Sequence, residues 1–485
     1  MASEKSIKKN YIYNLIYQVL TFITPFITAP YVSRILEPDG VGTFSYIQSI
    51  NSYFVLFATF GIATYGQREI SYYQDNLSLR SQAFWNTKVL EIITSGICFF
   101  TYVAFSINTA MPVLYLVMSF NILAVVCDAT WFFQGMEEFG KIVFRNILLK
   151  ILNIVYIFTV VTAKDDLVWY AAGCALFPLL ANIVLWGYLP KYITGFHLSE
   201  LRPFKNFQIV LSLFVPSIAI QVYTVLDKTM IGVITQSAFE NGYYDRAIIL
   251  SKIGLSVVGS LGTVMIPRIG FLYSHRDYGK IRYYIAQSFR FVWMVTIPMS
   301  LGLFVIIENF VPWFFGPGYE EVIPIVRILA ALLFIIGISN VIGLQYLIPT
   351  NRQNLFTKTV LAGAVFNFCM NMVLIPIYAA RGAAIASVLA ELIISLLELY
   401  MVRKEIPIGE IFRAMVNYLL AGSAMFVLLI NAERVLSASF LHTIILILSG
   451  MLTYALVLIL LRDVFFVGNL KRMAGFLCEK LHGGR

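Results

Sequence analysis

Charge is what this chain is short of. Asp, Glu, Lys and Arg make up 13% of its 485 residues, where a soluble protein carries about 25%. The shortage runs along the whole length, so no stretch is polar enough to fold as a soluble domain. Histidine is nearly missing, with four in the chain. The five cysteines, Cys98, Cys127, Cys174, Cys369 and Cys478, are scattered with no Cys-x-x-Cys, which leaves no disulfide or metal framework. No Ser-His-Asp set, paired carboxylates, phosphate-cradling glycine loop or metal-ligand spacing rises above background. These absences argue against an enzyme, and nothing calls for a cofactor or a metal. Long loops are missing as well, and none on the outer side could fold by itself.

Apolar residues fill the space, at 59% of the chain. Runs of about 20 apolar residues, enough to cross a bilayer core, fall at 11–36, 42–66, 84–108, 111–134, 142–163, 167–190, 208–234, 243–267, 287–309, 322–348, 355–378, 382–402, 412–431 and 438–461. The first is too long for a secretory signal and no small-residue cleavage site follows it. The N-terminus, with Lys5, Lys8 and Lys9, is therefore expected to stay inside. On that orientation 26 of the 35 Lys and Arg lie on the inner side, and only Arg34, Lys164, Arg381 and Arg434 lie outside. This is the positive-inside bias. It places both termini in the cytoplasm and explains the net charge of +9 without nucleic acid. The expected class is an all-α integral membrane protein with about 14 transmembrane helices.

A longer loop at 191–207 follows six spans, and the next six end near residue 402. The expected organisation is a six-helix lobe at 1–190, a cytoplasmic linker at 191–207, a second six-helix lobe at 208–402, and two accessory helices with a basic tail at 403–485. Three inner pieces, 191–207, 269–286 and the tail from Asp463, read as interfacial. The tail sets Phe465, Phe466, Leu470 and Leu477 among Lys471, Arg472 and Lys480, either as an amphipathic helix on an anionic leaflet or as a disordered basic end. A faint internal echo pairs Gly42-Thr43-Phe44 with Gly242-Tyr243-Tyr244.

A helix that lines a watery cavity should carry polar residues at helical spacing. The first span has Asn14, Gln18, Thr21, Pro25 and Thr28, and the second has Ser45, Gln48, Ser49, Ser52 and Thr59. The seventh has Gln221, Thr224, Lys228 and Thr235 on one side with Asp227 beside it, and the eighth has Asp245, Lys252, Ser256 and Gly259. Ser, Thr and small residues can equally be helix-packing contacts. A buried lysine is harder to dismiss, since a charge at the bilayer centre costs about 3 kcal/mol on insertion scales. Lys252 stands about 13 Å from the outer end of its helix, too deep for easy snorkelling. Arg246 and Arg327, nearer the boundary, can reach the interface. Asp227 beside Lys228, and Asp245 ahead of Lys252, could instead form internal ion pairs. Glu391 lies near the midplane of the twelfth span, with Asn367 and Asn371 at matching depth on the eleventh. It is either a neutral hydrogen-bonding staple or an ion-coupling site. Pro25, Pro216 and Pro298 are candidate bending points.

Several stretches together resemble one family. They are Gly40-Val41-Gly42 followed by Gly61-Ile62-Ala63-Thr64-Tyr65-Gly66-Gln67-Arg68-Glu69, then Asp128-x-x-Trp131-Phe132-Phe133-Gln134-Gly135, Phe315-Gly316-x-Gly318-Tyr319 and Gln345-x-x-x-Pro349. The most specific is Asn367-x-x-x-Asn371-x-x-Leu374-Ile375-Pro376, followed by Gly382-Ala383-Ala384-x-Ala386-Ser387 and Glu391. In this order and coverage the chain resembles Wzx-type polysaccharide repeat-unit flippases of the multidrug/oligosaccharidyl-lipid/polysaccharide exporter superfamily. The resemblance implies two six-helix lobes around a V-shaped cavity, lined chiefly by spans 1, 2, 7 and 8. It also implies the cargo, an undecaprenyl-pyrophosphate-linked oligosaccharide moved to the outer leaflet of a bacterial cytoplasmic membrane. Membrane lipids, a polysaccharide polymerase and chain-length proteins would be the partners. Lipid II flippases carry several basic residues in span 1, whereas Arg34 is the only one here beyond the N-terminal lysines.

A pyrophosphate needs replacement of its hydration, so Lys228, Lys252, Arg246 and Arg34 are the expected headgroup contacts. Asn14, Gln18, Thr21, Gln48, Ser52, Gln221, Thr224, Asp227 and Asp245 would line the cavity. A drug/cation antiporter of the same superfamily is the first alternative, although it would want an acidic cavity. A membrane-embedded polymerase or glycosyltransferase is the second, although it would want a sizeable outer loop.

Overall fold

A computed structural model describes residues 4–195 and 201–472, with side chains described there except at 4–22, 215–217, 219, 220, 222, 223, 252, 253, 256–258, 260 and 263. Among the described residues all regular structure is helical. In chain order the helices are α1 (Glu4–Thr59), α2 (Ile62–Tyr72), α3 (Leu77–Ile107), α4 (Pro112–Met118), α5 (Phe120–Val126), α6 (Thr130–Gly135), α7 (Phe139–Val160), α8 (Leu167–Trp186) and α9 (Phe207–Thr235). They continue as α10 (Ala238–Ser274), α11 (Tyr278–Phe314), α12 (Val322–Ser339), a π-helical segment (Asn340–Leu347), α13 (Gln353–Val402), α14 (Ile408–Glu433) and α15 (Phe440–Leu460). Ten candidate spans among the described residues are long and apolar enough to cross a membrane. The chain is a multi-pass membrane protein.

The longest helices are not single rods. At 56 and 50 residues, α1 and α13 would reach about 75–85 Å, more than twice the ~30 Å hydrocarbon core. Each is interrupted once, α1 at Glu37 (φ 56°, ψ 174°) and α13 at Ala379 (φ 49°, ψ −127°). Both breaks fall between stretches expected as separate spans, and neither is at Pro25 or Pro298. The turn after Ala379 is tight. A Cβ on Gly382 would stand 2.3 Å from the Leu374 carbonyl oxygen, so only glycine lets the chain return that closely.

Other boundaries differ from the sequence reading. The segment 42–66 stops at Thr59, where Phe60 and Gly61 both adopt positive φ, and resumes as α2. The segment 111–134 is three short helices, α4 to α6, instead of one. The piece 269–286 is not a separate interfacial element. α10 and α11, 37 residues each and so about 55 Å long, run past the core and leave only His275–Asp277 as a turn between them.

The chain divides into two compact units, Met1–Gly242 and Tyr243–Arg485. In the first, α1 packs against α3, α7 and α9, and α8 against α5 and α7. The loop after α8 is stitched to α3. Arg80 donates to the Tyr192 carbonyl at 2.9 and 2.7 Å, Trp85 Nε1 donates to the Thr194 carbonyl at 3.0 Å, and the Arg202 N–H donates to Asn86 Oδ1 at 2.7 Å. The described parts of 191–207 are thus docked on the first unit, which also keeps α9. The echo noted in the sequence is a contact. A Cβ on Gly42 would lie 1.7 Å from the Ala238 carbonyl oxygen, and one on Gly242 would lie 2.1 Å from the Pro38 carbonyl oxygen.

In the second unit α11 is the hub, packing against α12, α14 and α15 around Trp293, Phe289, Tyr418 and Met425. The tail is helical from Val464 to Arg472, while Leu477 and Lys480 lie outside the described residues. Asp463 fixes its start. Buried at the foot of α15, it accepts from the Phe466 N–H at 2.9 Å, from Asn417 Nδ2 at 3.2 Å and from the Tyr418 hydroxyl at 3.3 Å.

Candidate functional site

Polar side chains expected on the second and seventh spans meet in the first unit, where α1 beyond Glu37 packs on α9. Thr229 Oγ1 lies 2.9 Å from Ser49 Oγ and 3.2 Å from the Tyr53 hydroxyl. Asp227 is buried and acts electrostatically on that tyrosine. One turn away Ser52 donates to the Gln48 carbonyl at 2.8 Å, leaving the Gln48 side chain exposed. On α9 Thr224 is exposed and donates to the Gln221 carbonyl at 3.0 Å. Lys228 is half-buried, and it and Asp227 are both engaged by other groups. The helices come this close because Gly232 has no side chain: a Cβ there would stand 2.1 Å from the Tyr46 ring. Hydroxyls, an amide, a carboxylate and an ammonium on one pair of helices can exchange hydrogen bonds with sugar hydroxyls and phosphate oxygens. Tyr53 and Thr229 were missed in the sequence. Tyr53 continues the Ser49 stripe at i+4, and that spacing could have found it.

The remaining expected residues divide three ways. Asn14, Gln18, Thr21 and Lys252 lie outside the residues whose side chains are described; the backbone places the first three on α1 and Lys252 on α10. Arg34, on α1, is exposed. Arg246, which could have reached the interface from its position on α10, does not snorkel. It is 4% exposed, its guanidinium lies 6.0 Å from the centre of the Phe315 ring, and Nη1 lies 3.5 Å from Asp245 Oδ2. The apolar wall of Phe315 and the neighbouring carboxylate hold it inside the second unit.

The acid expected for ion coupling also has a defined setting. Asn367 and Asn371 are fully buried, and Asn371 Nδ2 donates to Asn367 Oδ1 at 3.0 Å. Glu391 is half-buried and engaged. The fully buried acids are elsewhere. Glu398, two turns further along α13, is 0% exposed and accepts from Thr359 Oγ1 at 3.2 Å. Glu91 on α3 is 0% exposed and 2.7 Å from Lys88 Nζ, which also donates to the Asp128 carbonyl at 2.6 Å. α3 begins at Leu77, ahead of the expected span at 84–108, and carries Lys88 three turns inward to this pair. Trp131 of the Asp128–Gly135 stretch closes the cluster, donating to Glu91 at 3.4 Å.

Packed helices broken at Glu37 and Ala379, and bearing polar and charged groups within their spans, are the architecture of a membrane transporter. Comparison with known proteins gives the family. Residues 7–272 match the polysaccharide biosynthesis protein family, and the chain belongs to it. It is 24% identical over 412 residues to a protein of Escherichia coli K12 named "Putative O-antigen transporter", covering 82% of this chain and 97% of that one. It is 23% identical over 381 residues to the "Probable low-salt glycan biosynthesis flippase Agl15" of Haloferax volcanii, covering 75% and 77%. In fold it is similar to the inward closed conformation of the lipid II flippase MurJ, with a TM-score of 0.68 at 16% identity over 94% of this chain and 99% of that one. An inward-facing multidrug resistance MATE family transporter has a TM-score of 0.62 at 12% identity, over 82% and 96%.

Proposed function

We propose that this protein flips an undecaprenyl-pyrophosphate-linked oligosaccharide repeat unit from the inner to the outer leaflet of a bacterial cytoplasmic membrane, for surface polysaccharide. Both termini face the cytoplasm, and the polymerase and chain-length proteins of the same pathway act on the delivered unit. The observation that carries the cargo's chemistry is Lys228, an ammonium within α9 beside Thr229, whose hydroxyl meets those of Ser49 and Tyr53 on α1. An anion drawn into low dielectric needs a cation and hydrogen-bond donors in place of water. Lys228 and Lys252 supply charge to the pyrophosphate, while hydroxyls and amides hold sugars weakly enough to release them. The isoprenyl chain stays in lipid. Rocking of two lobes then exchanges access between the two sides. The 26-to-4 distribution of Lys and Arg supports the orientation.

A deletion strain tests this. It should accumulate the lipid-linked repeat unit on the cytoplasmic side and lose its surface glycan. K228A or K252A protein that still inserts should fail to restore that glycan. Normal glycan in both variants would remove the headgroup role. Drug sensitivity with an intact surface would favour the antiporter instead.

A further inference from the structure

The two acids fully buried among the described residues differ in one respect. Glu91 has a cation at 2.7 Å. Among the described residues Glu398 is approached by hydroxyls instead: Thr359 Oγ1 donates to its Oε1 at 3.2 Å, and the Ser339 side chain acts on the same carboxyl. Its Oε2 is buried with no hydrogen-bond partner among the described residues. The carboxyl presses on an unusual backbone. A Cβ on Gly343, inside the π-helical segment, would stand 3.0 Å from Glu398 Oε1 and 2.6 Å from the Phe356 ring. Two residues on, Gln345 is 0% exposed, donates to Asn340 Oδ1 at 3.0 Å, and leaves its own Oε1 without a partner among the described residues.

We propose that Glu398 is a proton-binding site that takes up and releases one proton in each transport cycle. The proposal rests on the transporter reading above and adds its driving ion. An ionised carboxylate without a cation is costly in a dry, packed site, and a proton removes the charge. Serine and threonine hydroxyls donate to a carboxylate and accept from a carboxylic acid, so the site satisfies both forms. An ammonium partner, as at Glu91, would hold one form only. π-Helical turns gather at functional sites and offer a change of register, which would open the carboxyl to water on one side at a time. The step balances by itself: Glu398–COOH on one side becomes Glu398–COO⁻ and a proton on the other.

Few charged groups surround it. On its own helix Glu391 acts on it electrostatically, and Lys358, beside Thr359, is exposed. On α12 the one charged residue is Arg327, about 18 Å from Ser339 along the helix and paired with Glu308. On the π-helical segment the Tyr346 hydroxyl is bonded to Glu405, which Arg352 also holds at 2.8 Å. None of these cations pairs with Glu398 among the described residues.

The test uses the full chain in lipid. Infrared difference spectra through a pH titration should show a protonated carboxyl band in the wild type that E398Q lacks and E391Q keeps. T359V, which removes a donor to the carboxylate, should move the midpoint to higher pH, and it serves if E398Q fails to fold. In vesicles holding lipid-linked oligosaccharide, a pH gradient should drive accumulation on one side by the wild type. E398Q should still equilibrate the lipid between leaflets but lose the gradient-driven excess. A band unchanged in E398Q, a midpoint unmoved in T359V, or a gradient of sodium replacing that of protons would overturn the proposal. The infrared arm needs no substrate, so a chain that binds the proton but moves no glycan would sink the flippase reading and leave Glu398 standing.

Discussion

The buried Lys88–Glu91 pair makes a sharp prediction about what holds the first unit together. At 2.7 Å and an effective dielectric of about 20, the gross attraction is roughly 6 kcal/mol. Desolvation of the two ions costs several kcal/mol each, so the pair contributes little net stability. Breaking it is another matter. K88M strands a carboxylate against Trp131, and E91L strands an ammonium under Trp186, 5.4 Å from its ring. Each single change should cost about 3–5 kcal/mol. The double change K88M/E91L removes both charges and leaves only the Asp128 carbonyl and the Trp131 N–H short of a partner, about 1–3 kcal/mol for each such group at most. It should therefore be no less stable than the worse single variant, giving a coupling energy of about 3 kcal/mol or more. Thermal melting of the four proteins in detergent, followed by tryptophan fluorescence, reads the cycle. Additive losses, with the double variant near the sum of the singles, would refute the pairing.

Other outcomes follow from single sites. G42A sets a methyl 1.7 Å from the Ala238 carbonyl oxygen; overpacking costs about 1–3 kcal/mol where neighbours yield, and a backbone neighbour yields least, so melting should fall at least that far while G96A, with open space around it, should not change. D463A removes the helix cap and two further acceptor contacts, and trypsin should then cut faster at Lys471 and Arg472, since a lost cap alone costs about 1 kcal/mol. At the head of α11 a hydrogen bond from the Lys280 side chain, then one from its N–H, hold the Asp277 carboxyl below its ordinary pKa. That contribution is present above the usual carboxylate range and is lost as pH falls through the lowered value. Wild type and D277N should therefore melt furthest apart near neutral pH and converge in acid; a constant difference would rule the linkage out.

Much of this architecture can be read from hydrophobic runs and the sidedness of Lys and Arg. The breaks at Glu37 and Ala379 fall where the sequence interrupts its apolar runs, although no glycine marks either residue. The turns of α4 to α6 are hidden because the run 111–134 stays largely apolar, with Asp128 its one charged residue, while the backbone breaks at Ser119 and between Val126 and Thr130. The burial of Lys88 near the start of the run 84–108 is not legible in the sequence, because tertiary contact with Glu91 and Asp128 is what offsets its cost. The sequence does not separate Glu398 from Glu391, because depth along a helix says nothing of rotation around it. Glu391 is half-buried, and two turns on Glu398 turns inward to Thr359 and Gly343. The hydroxyl cluster is half legible, since Ser49 lies in a polar stripe at helical spacing whereas its partner Thr229 belongs to a helix far away in the sequence.

The most direct measurement is leaflet exchange by the purified chain. Vesicles containing undecaprenyl-pyrophosphate oligosaccharide are probed with a membrane-impermeant glycosidase, which reaches only outward-facing glycan. Vesicles with the protein should expose essentially all of the glycan over time, and those with K228A should retain a protected fraction like that of protein-free vesicles. A protected fraction that the wild-type protein leaves unchanged would contradict the account.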